Sequence, residues 1–375
     1  MRRWHRDLAS AAMVLSTLVL PGCARTAAQR AAPRQRQITT TTTAASLPEA
    51  SIYAHTGAGD LSDKVRGDRA VVYVPDTDSA RVDMIDPQTF TVVGHFAVGR
   101  LPQHVTPSWD LRTLYVDDDE GNSLTPVDPR TGHPGTPIPV TDPYNLYFSP
   151  DGTKAIVVAE RLHRLDFRDP HTWAVLASVP VACAGIDHAD FTADGATMLA
   201  SCEFSGDLVR IDVEKMAVTA TLHVGGQPVD VKSSPDGTVF YVANQERNGV
   251  SVVDPVSMEE RRFIPTGAGA HGLLPSRDAR SLYVSNRKAG TVSVLDFATG
   301  AVRATWPIGG SPDMGGVSAD GTQLWLSGRY HGAVYVIDTA TGKLLHTIAV
   351  GRGPHGLCVW PQPGRFSLGH TGALR

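Results

Sequence analysis

Aspartate and histidine return along this chain at intervals near 42 residues. His104, the adjacent Asp187 and His188, Asp230, His271, Asp313 and His355 fall on such steps, and Tyr144 and Asn145 occupy the step between the first two. Imidazole and carboxylate are common ligands of Zn²⁺, Fe, Mn²⁺ and Cu, and the usual proton donors and acceptors of catalysis. Gathered in one place, these side chains would form a ligand-binding ring, and a divalent metal ion is the cofactor such a ring could hold. Asp187, His188, His271 and His355 are its first-choice ligands, because Asp187 and His188 are neighbours in a repeat that counts four residues longer than its siblings. The competing reading is the ordinary polarity of a solvent-filled opening, where such groups satisfy loop backbone. A step of 42 residues matches no metal-binding motif, so the chemistry depends on the elements that carry these positions.

Other local motifs say less. Asp76-Thr77-Asp78 and Asp117-Asp118-Asp119-Glu120-Gly121 are acidic runs without the spaced Asp pattern and distal Glu of an EF-hand loop, and solvated loops account for them. Gly267 to Gly272 spells G-x-G-x-x-G between two strand patterns, so the helix N-terminus that would cradle a phosphate is missing. The chain contains no G-x-S-x-G, Walker A, H-E-x-x-H or C-x-x-C. Serine-hydrolase, nucleotide-hydrolase, zincin and thioredoxin chemistry therefore have no local support.

The positioning elements are short β-rich runs in a repeat. One run per repeat ends in an Asp, at 86, 128, 166, 212, 254, 296 and 338, spaced 42, 38, 46, 42, 42 and 42 residues. Ser-Pro-Asp-Gly-like turns place a second Asp at 110, 151, 194, 236, 278 and 320, each followed five residues later by Tyr115, Ile156, Leu199, Tyr241, Tyr283 or Trp325. A Gly-x-x-Pro loop recurs at Gly99, Gly225, Gly309 and Gly351. Four strand patterns with turn residues between them, at a period near 42 and without an amphipathic helix, predict an all-β, seven-bladed propeller of four-stranded antiparallel blades. A single four-stranded sheet cannot cover both its apolar faces, so the blades must pack around a ring.

Tyr241-Val242-Ala243-Asn244 followed by Val250-Ser251-Val252-Val253-Asp254, and Tyr283-Val284-Ser285-Asn286 followed by Thr291 to Asp296, resemble the YVTN (YncE-like) β-propeller repeat. The resemblance spans about residues 60–360 and departs in the third repeat, where Ile156-Val157-Val158-Ala159 replaces the Tyr-Val-x-Asn element. It implies an exported seven-bladed propeller and supplies no catalytic residues.

Counting strands leaves the first repeat without an inner strand, because Leu61 to Gly67 fits poorly, while His355 to Trp360 is an inner strand without partners. Strand exchange between the two chain termini closes the ring; a partial eighth blade using residues 365–370 is the rival. In either arrangement the residues after each Gly-x-x-Pro meet at the mouth of the axial channel, which gathers His104, Tyr144, Asn145, Asp187, His188, Asp230, His271, Asp313 and His355. Cys183 and Cys202 fall at the same face and are expected to form a disulfide, with Cys358 a buried thiol inside the closing strand.

Upstream of the repeats, Arg2, Arg3 and Arg6 precede an uncharged stretch ending in Leu20-Pro21-Gly22-Cys23. Residues 1–22 read as a lipoprotein signal peptide with Cys23 as the lipidated residue, against simple cleavage or an uncleaved anchor. Residues 23–49, with five threonines at 39–43, read as a flexible stalk, and 50–375 as the propeller. The chain carries 34 Lys+Arg against 38 Asp+Glu, a formal charge of −4. Seven of the arginines precede residue 50, so the body is acidic and nucleic acid is not an expected partner. Two functions follow. One is a membrane-tethered extracytoplasmic binding or scaffold protein, meeting a protein partner or small-molecule ligand at the channel mouth. The other, by analogy with propeller lactonases, is a metal-dependent hydrolase or lyase with its site there.

Overall fold

Alternation of Val, Ile, Tyr and Thr with small polar residues makes each repeat fold as four antiparallel strands, and burial follows strand position. The second strand of a blade lies between neighbouring sheets and is largely buried, as in Ala155–Ala159, which is apolar and buried throughout. The outermost strand faces solvent on one side, so Val302–Pro307 alternates between part-buried and exposed residues. The structure, a computed structural model, describes residues 51–375. The signal segment, Cys23 and the Thr-rich stalk lie outside the described residues. Seven four-stranded sheets are present, one per repeat, and inner strands of successive blades neighbour one another around a closed ring.

The turns explain the recurring aspartates. In Ser149-Pro150-Asp151-Gly152 the Ser149 hydroxyl donates to Asp151 at 2.6 Å, Asp151 accepts the Thr153 N–H at 3.0 Å, and Gly152 takes φ 72°, where a side chain would be strained. The Asp that ends each third strand accepts N–H groups of the following turn: Asp254 from Val256 at 2.8 Å, Asp296 from Thr299 at 2.9 Å. Asp166 does not take part in this series. It lies inside the strand Arg164–Arg168, paired with Arg164 at 3.0 Å, and Asp169 caps the turn instead, accepting from Thr172 at 2.7 Å. Counted through Asp169, the steps from Asp128 to Asp212 are 41 and 43 residues. This repeat therefore carries no four-residue insertion, contrary to the expectation from the Asp166 spacing.

Ring closure follows the strand-exchange expectation. The sheet of blade 1 is ordered Cys358–Trp360, Val71–Asp76, Arg81–Asp86, Thr91–Ala97, so the last strand of the chain is the inner strand of the first blade. Val72 pairs with Val359 and Tyr73 with Cys358. Residues 361–375 form no eighth blade. They cross the ring at the end opposite the Gly-x-x-Pro loops, where Leu368 accepts the Phe148 N–H, His370 donates its N–H to Leu146, and Arg375 pairs with Asp190 at 2.7 Å. Ser51 to Arg66 runs over the same end, with the Ile52 N–H on Pro235 and the Tyr53 hydroxyl on Ser233. Tail and N-terminal segment together floor the channel around a cavity of about 70 Å³.

Candidate functional site at the channel mouth

Five of the seven inner strands carry a β-bulge at the same place. Pairing slips between Pro102 and Val105, Ile186 and Ala189, Pro228 and Val231, Ala270 and Leu273, and Pro312 and Gly315. The two residues inside each slip are released from the ladder, and a bulge re-aims such side chains. They are the positions that the repeat alignment singles out, Asp187 with His188 and His271 with Gly272 among them. Glycine is required in one of these pairs, at Gly272, and at Gly356 in the segment before the closing strand. A Cβ at Gly356 would overlap the His104 ring, and one at Gly272 would approach the Asp313 carbonyl oxygen at 2.6 Å.

The expected ring divides into two groups of imidazoles. In the first, Arg287 and His271 both meet Asp313 at 2.7 Å, and His355 Nδ1 stands 3.4 Å away. Arg287 also touches His271 Nε2. Burial works against the Asp313 charge, but Arg287, His271 and His355 outweigh it and hold the carboxyl well below the carboxylate range. In the second group, His188 Nε2 lies 3.3 Å from His104 Nε2, and both rings pack on His370, with centroids 4.7 and 4.9 Å away. One nitrogen from each of His104, His188 and His370 lies within 4.8 Å of the other two. His188 packs with His104 and His370, and the two groups adjoin, with His355 5.0 Å from His104 and His271 6.4 Å from His188, centroid to centroid. All five rings are fully buried or nearly so, and burial drives their proton affinity down, for His188 and His271 to about 4.

The other members have distinct places. Asp187 is buried beside His188, its Oδ1 2.7 Å from Nδ1, yet neither carboxyl oxygen has an aligned hydrogen-bond partner among the described residues. Burial raises its pKa far above the carboxylate range. Tyr144 supplies the carbonyl that accepts from His104 Nδ1 at 2.9 Å. Asn145 donates to the Tyr147 hydroxyl at 3.2 Å and meets His370 Nδ1 at 3.2 Å. Asp230 is committed to structure: it accepts Val231 N–H at 2.9 Å, Leu273 N–H of the next blade at 2.8 Å and Lys232 Nζ at 3.0 Å. Cys183 and Cys202 are joined, with Cα atoms 6.0 Å apart, and Cys358 is a buried free thiol.

Two features escaped the sequence reading. The residue directly after each second strand forms a rim: Thr77, Asp119, Glu160, Glu203, Gln245, Arg287 and Arg329. Glu203 accepts from Gln245 at 3.0 Å, Gln245 from Arg287 at 3.3 Å, and Arg287 reaches the Tyr330 hydroxyl at 3.4 Å. From Asp119 onward these rim positions stand four residues beyond the Tyr115, Ile156 and Leu199 series, so the signal was available. His370 is the second feature. It belongs to no repeat, and nothing in its spacing marks it.

This combination defines a seven-bladed β-propeller with a polar axial opening. The chain belongs to the YNCE-like beta-propeller family, whose family model matches residues 42–363. No curated protein sequence matches it. Among solved structures it is similar to a functionally unknown protein from Desulfotomaculum acetoxidans (TM-score 0.66, 15% identity, 78% of this chain and 99% of that one). A putative 6-phosphogluconolactonase from Bacteroides uniformis is also similar (TM-score 0.64, 17% identity, 77% and 99%). So is the dihydro-heme d1 dehydrogenase NirN (TM-score 0.60, 16% identity, 84% and 82%). At these identities the likeness is one of fold.

Proposed function

We propose that this protein is a membrane-tethered, extracytoplasmic propeller that binds a small polar ligand, or a protruding side chain of a protein partner, at its channel mouth. The observation that carries this reading is a set of buried polar atoms at the mouth without hydrogen-bond partners among the described residues: both oxygens of Asp187, both nitrogens of His355 and Oε1 of Gln103. Leaving such groups unpaired costs about 1–3 kcal/mol each, and a ligand offering donors and acceptors relieves it. The rim adds polarity across the opening. Asp119, Glu160 and Glu203 come from blades 2 to 4, and Arg287 and Arg329 from blades 6 and 7 on the other side. A zwitterion of amino-acid size fits that arrangement, with its cationic end toward the acidic arc.

Lipidation of Cys23 would supply the membrane tether. Two experiments test the reading. Cys23→Ala should move the protein from the membrane fraction to the soluble fraction, and retention at high salt would overturn the lipid tether. Calorimetric titration with zwitterionic, anionic and neutral ligands of equal size should favour the zwitterions, and Arg329→Ala should weaken them by about tenfold, the loss of about 1.4 kcal/mol for one charge-assisted contact. Equal affinity for neutral ligands would count against it. The histidine pair at 3.3 Å favours a second reading, a metal-dependent lactonase-like hydrolase. Lactone turnover by metal-loaded protein that vanishes with chelator would establish it.

A further inference from the structure

We propose that His104, His188 and His370 form a three-imidazole site for one divalent transition-metal ion, strapped in place by the C-terminal tail. The inference goes beyond ligand binding at the mouth and does not depend on it.

The geometry of the first two ligands already suits a metal. Four nitrogens around an ion at bond lengths of about 2.0–2.1 Å stand about 3.3–3.4 Å apart, and His104 Nε2 and His188 Nε2 are 3.3 Å apart. The outer nitrogen of His104 is occupied as a metal-bound imidazole requires. His104 Nδ1 donates to the Tyr144 carbonyl at 2.9 Å, which fixes its tautomer and leaves a lone pair on Nε2. His188 Nδ1 lies 2.7 Å from Asp187 Oδ1 without an aligned hydrogen bond, and a ring rotation that aligned the two would give the carboxylate–histidine–metal arrangement that orients a ligand and raises its basicity. With the proton of the neutral ring on Nδ1, toward Asp187, His188 Nε2 also presents a lone pair. Two lone pairs facing across 3.3 Å need a cation or a proton between them.

His370 completes the set from outside the repeat. The tail pairs with the inner edge of blade 3 through the His370 N–H on Leu146 and the Phe148 N–H on Leu368, which carries its ring up between the other two. Asn145 Nδ2 meets its Nδ1 at 3.2 Å. All three rings are buried, at 0%, 0% and 2% exposure, and the neutral imidazole is the form that ligates. Neutral imidazoles select the borderline ions Zn²⁺, Co²⁺, Ni²⁺ and Cu²⁺ over Ca²⁺ or Mg²⁺, which want oxygen. Three protein ligands leave the fourth tetrahedral position to water or to a ligand entering from the mouth.

The test uses full-length, untagged protein stripped with chelator and titrated with Co²⁺. One equivalent should bind and give the intense visible bands of a tetrahedral nitrogen site. Asp187→Asn, which spares the ligands, should weaken binding by about 10–100-fold, and His370→Ala or His188→Ala should weaken it further. His271→Gln and the exposed His171→Gln should bind as wild type does. Absence of stoichiometric Co²⁺ or Zn²⁺ binding, full retention in His370→Ala, or equal loss in His271→Gln would each overturn the site. Should the ligand variants fail to fold, X-ray absorption on the Zn²⁺-loaded wild type decides: three imidazoles support the proposal, and one or two overturn it.

Discussion

Asp313 shows how one residue serves two blades and the channel at once. Its carboxylate, fully buried, neutralises Arg287 from blade 6 while facing His271 and His355. Two buried charges compensate one another, so removing one strands the other. Asp313→Asn should lower unfolding free energy by about 3–5 kcal/mol, read by denaturant unfolding, and an Arg287→Met change made with Asp313→Leu should recover most of that loss. If Asp313→Asn alone costs less than about 1 kcal/mol, the pair lies within the range of exposed ion pairs and the mouth is wetter than its burial implies.

At the scale of elements, the closing strand and the tail behind it are separable. A chain ending before His355 lacks the inner strand of blade 1 and leaves the edge of Val71–Asp76 unpaired, and it should not fold cooperatively. A chain ending after Trp360 keeps that strand but loses buried Leu368 and Leu374 and the Asp190–Arg375 pair, and it should fold with a lowered Tm. A shared, two-state transition at the same Tm for both would refute closure by strand exchange. The closing strand was legible because a repeat exposes its own missing parts: His355 to Trp360 matched an inner strand and lacked partners. The bulges were not legible, since a one-residue slip in pairing leaves no mark on residue spacing. Asp166 misled because Arg164-Leu165-Asp166 imitates the third-strand ending three residues before the true cap at Asp169. His370 stayed hidden for a different reason. Repeat alignment predicts only what recurs, and the tail occurs once.

Over the whole molecule, protons collect on one side of the ring. Burial raises the carboxyls of Asp118 to about 6 and Glu160 to about 7, and raises Asp76, Asp117, Asp119 and Glu203 as well, all at the mouth end of blades 1 to 4. The unfolded chain releases these protons near pH 4, so folded protein binds more of them and stability falls as pH rises toward the folded values. The five buried histidines act in the opposite sense. Lowered in the folded state, they favour unfolding below their unfolded value of about 6.5 and contribute nothing above it. The two trends oppose each other between about pH 4.5 and 6.5, and only the carboxyl trend continues to about pH 8. In chelator, Tm should therefore be nearly level over the lower window and fall across the upper one, and a Tm that climbs to pH 8 would show that the acidic arc is ionised and solvated.

Joining the last strand to the first blade also sets a clock. Thr91–Ala97 completes the outer part of blade 1 early, but its inner partner, Cys358–Trp360, comes only after six further blades. At synthesis rates of about 5–20 residues per second, the gap lasts on the order of tens of seconds. Throughout that interval Val71–Asp76 offers an open edge to any passing strand, including the same strand of another nascent copy. Pro75 stands in that edge with no N–H to donate. Its value is greatest in a molecule that does not yet exist in full, and a Pro75→Val variant should show its defect in yield and aggregation during expression more than in the Tm of the protein that survives.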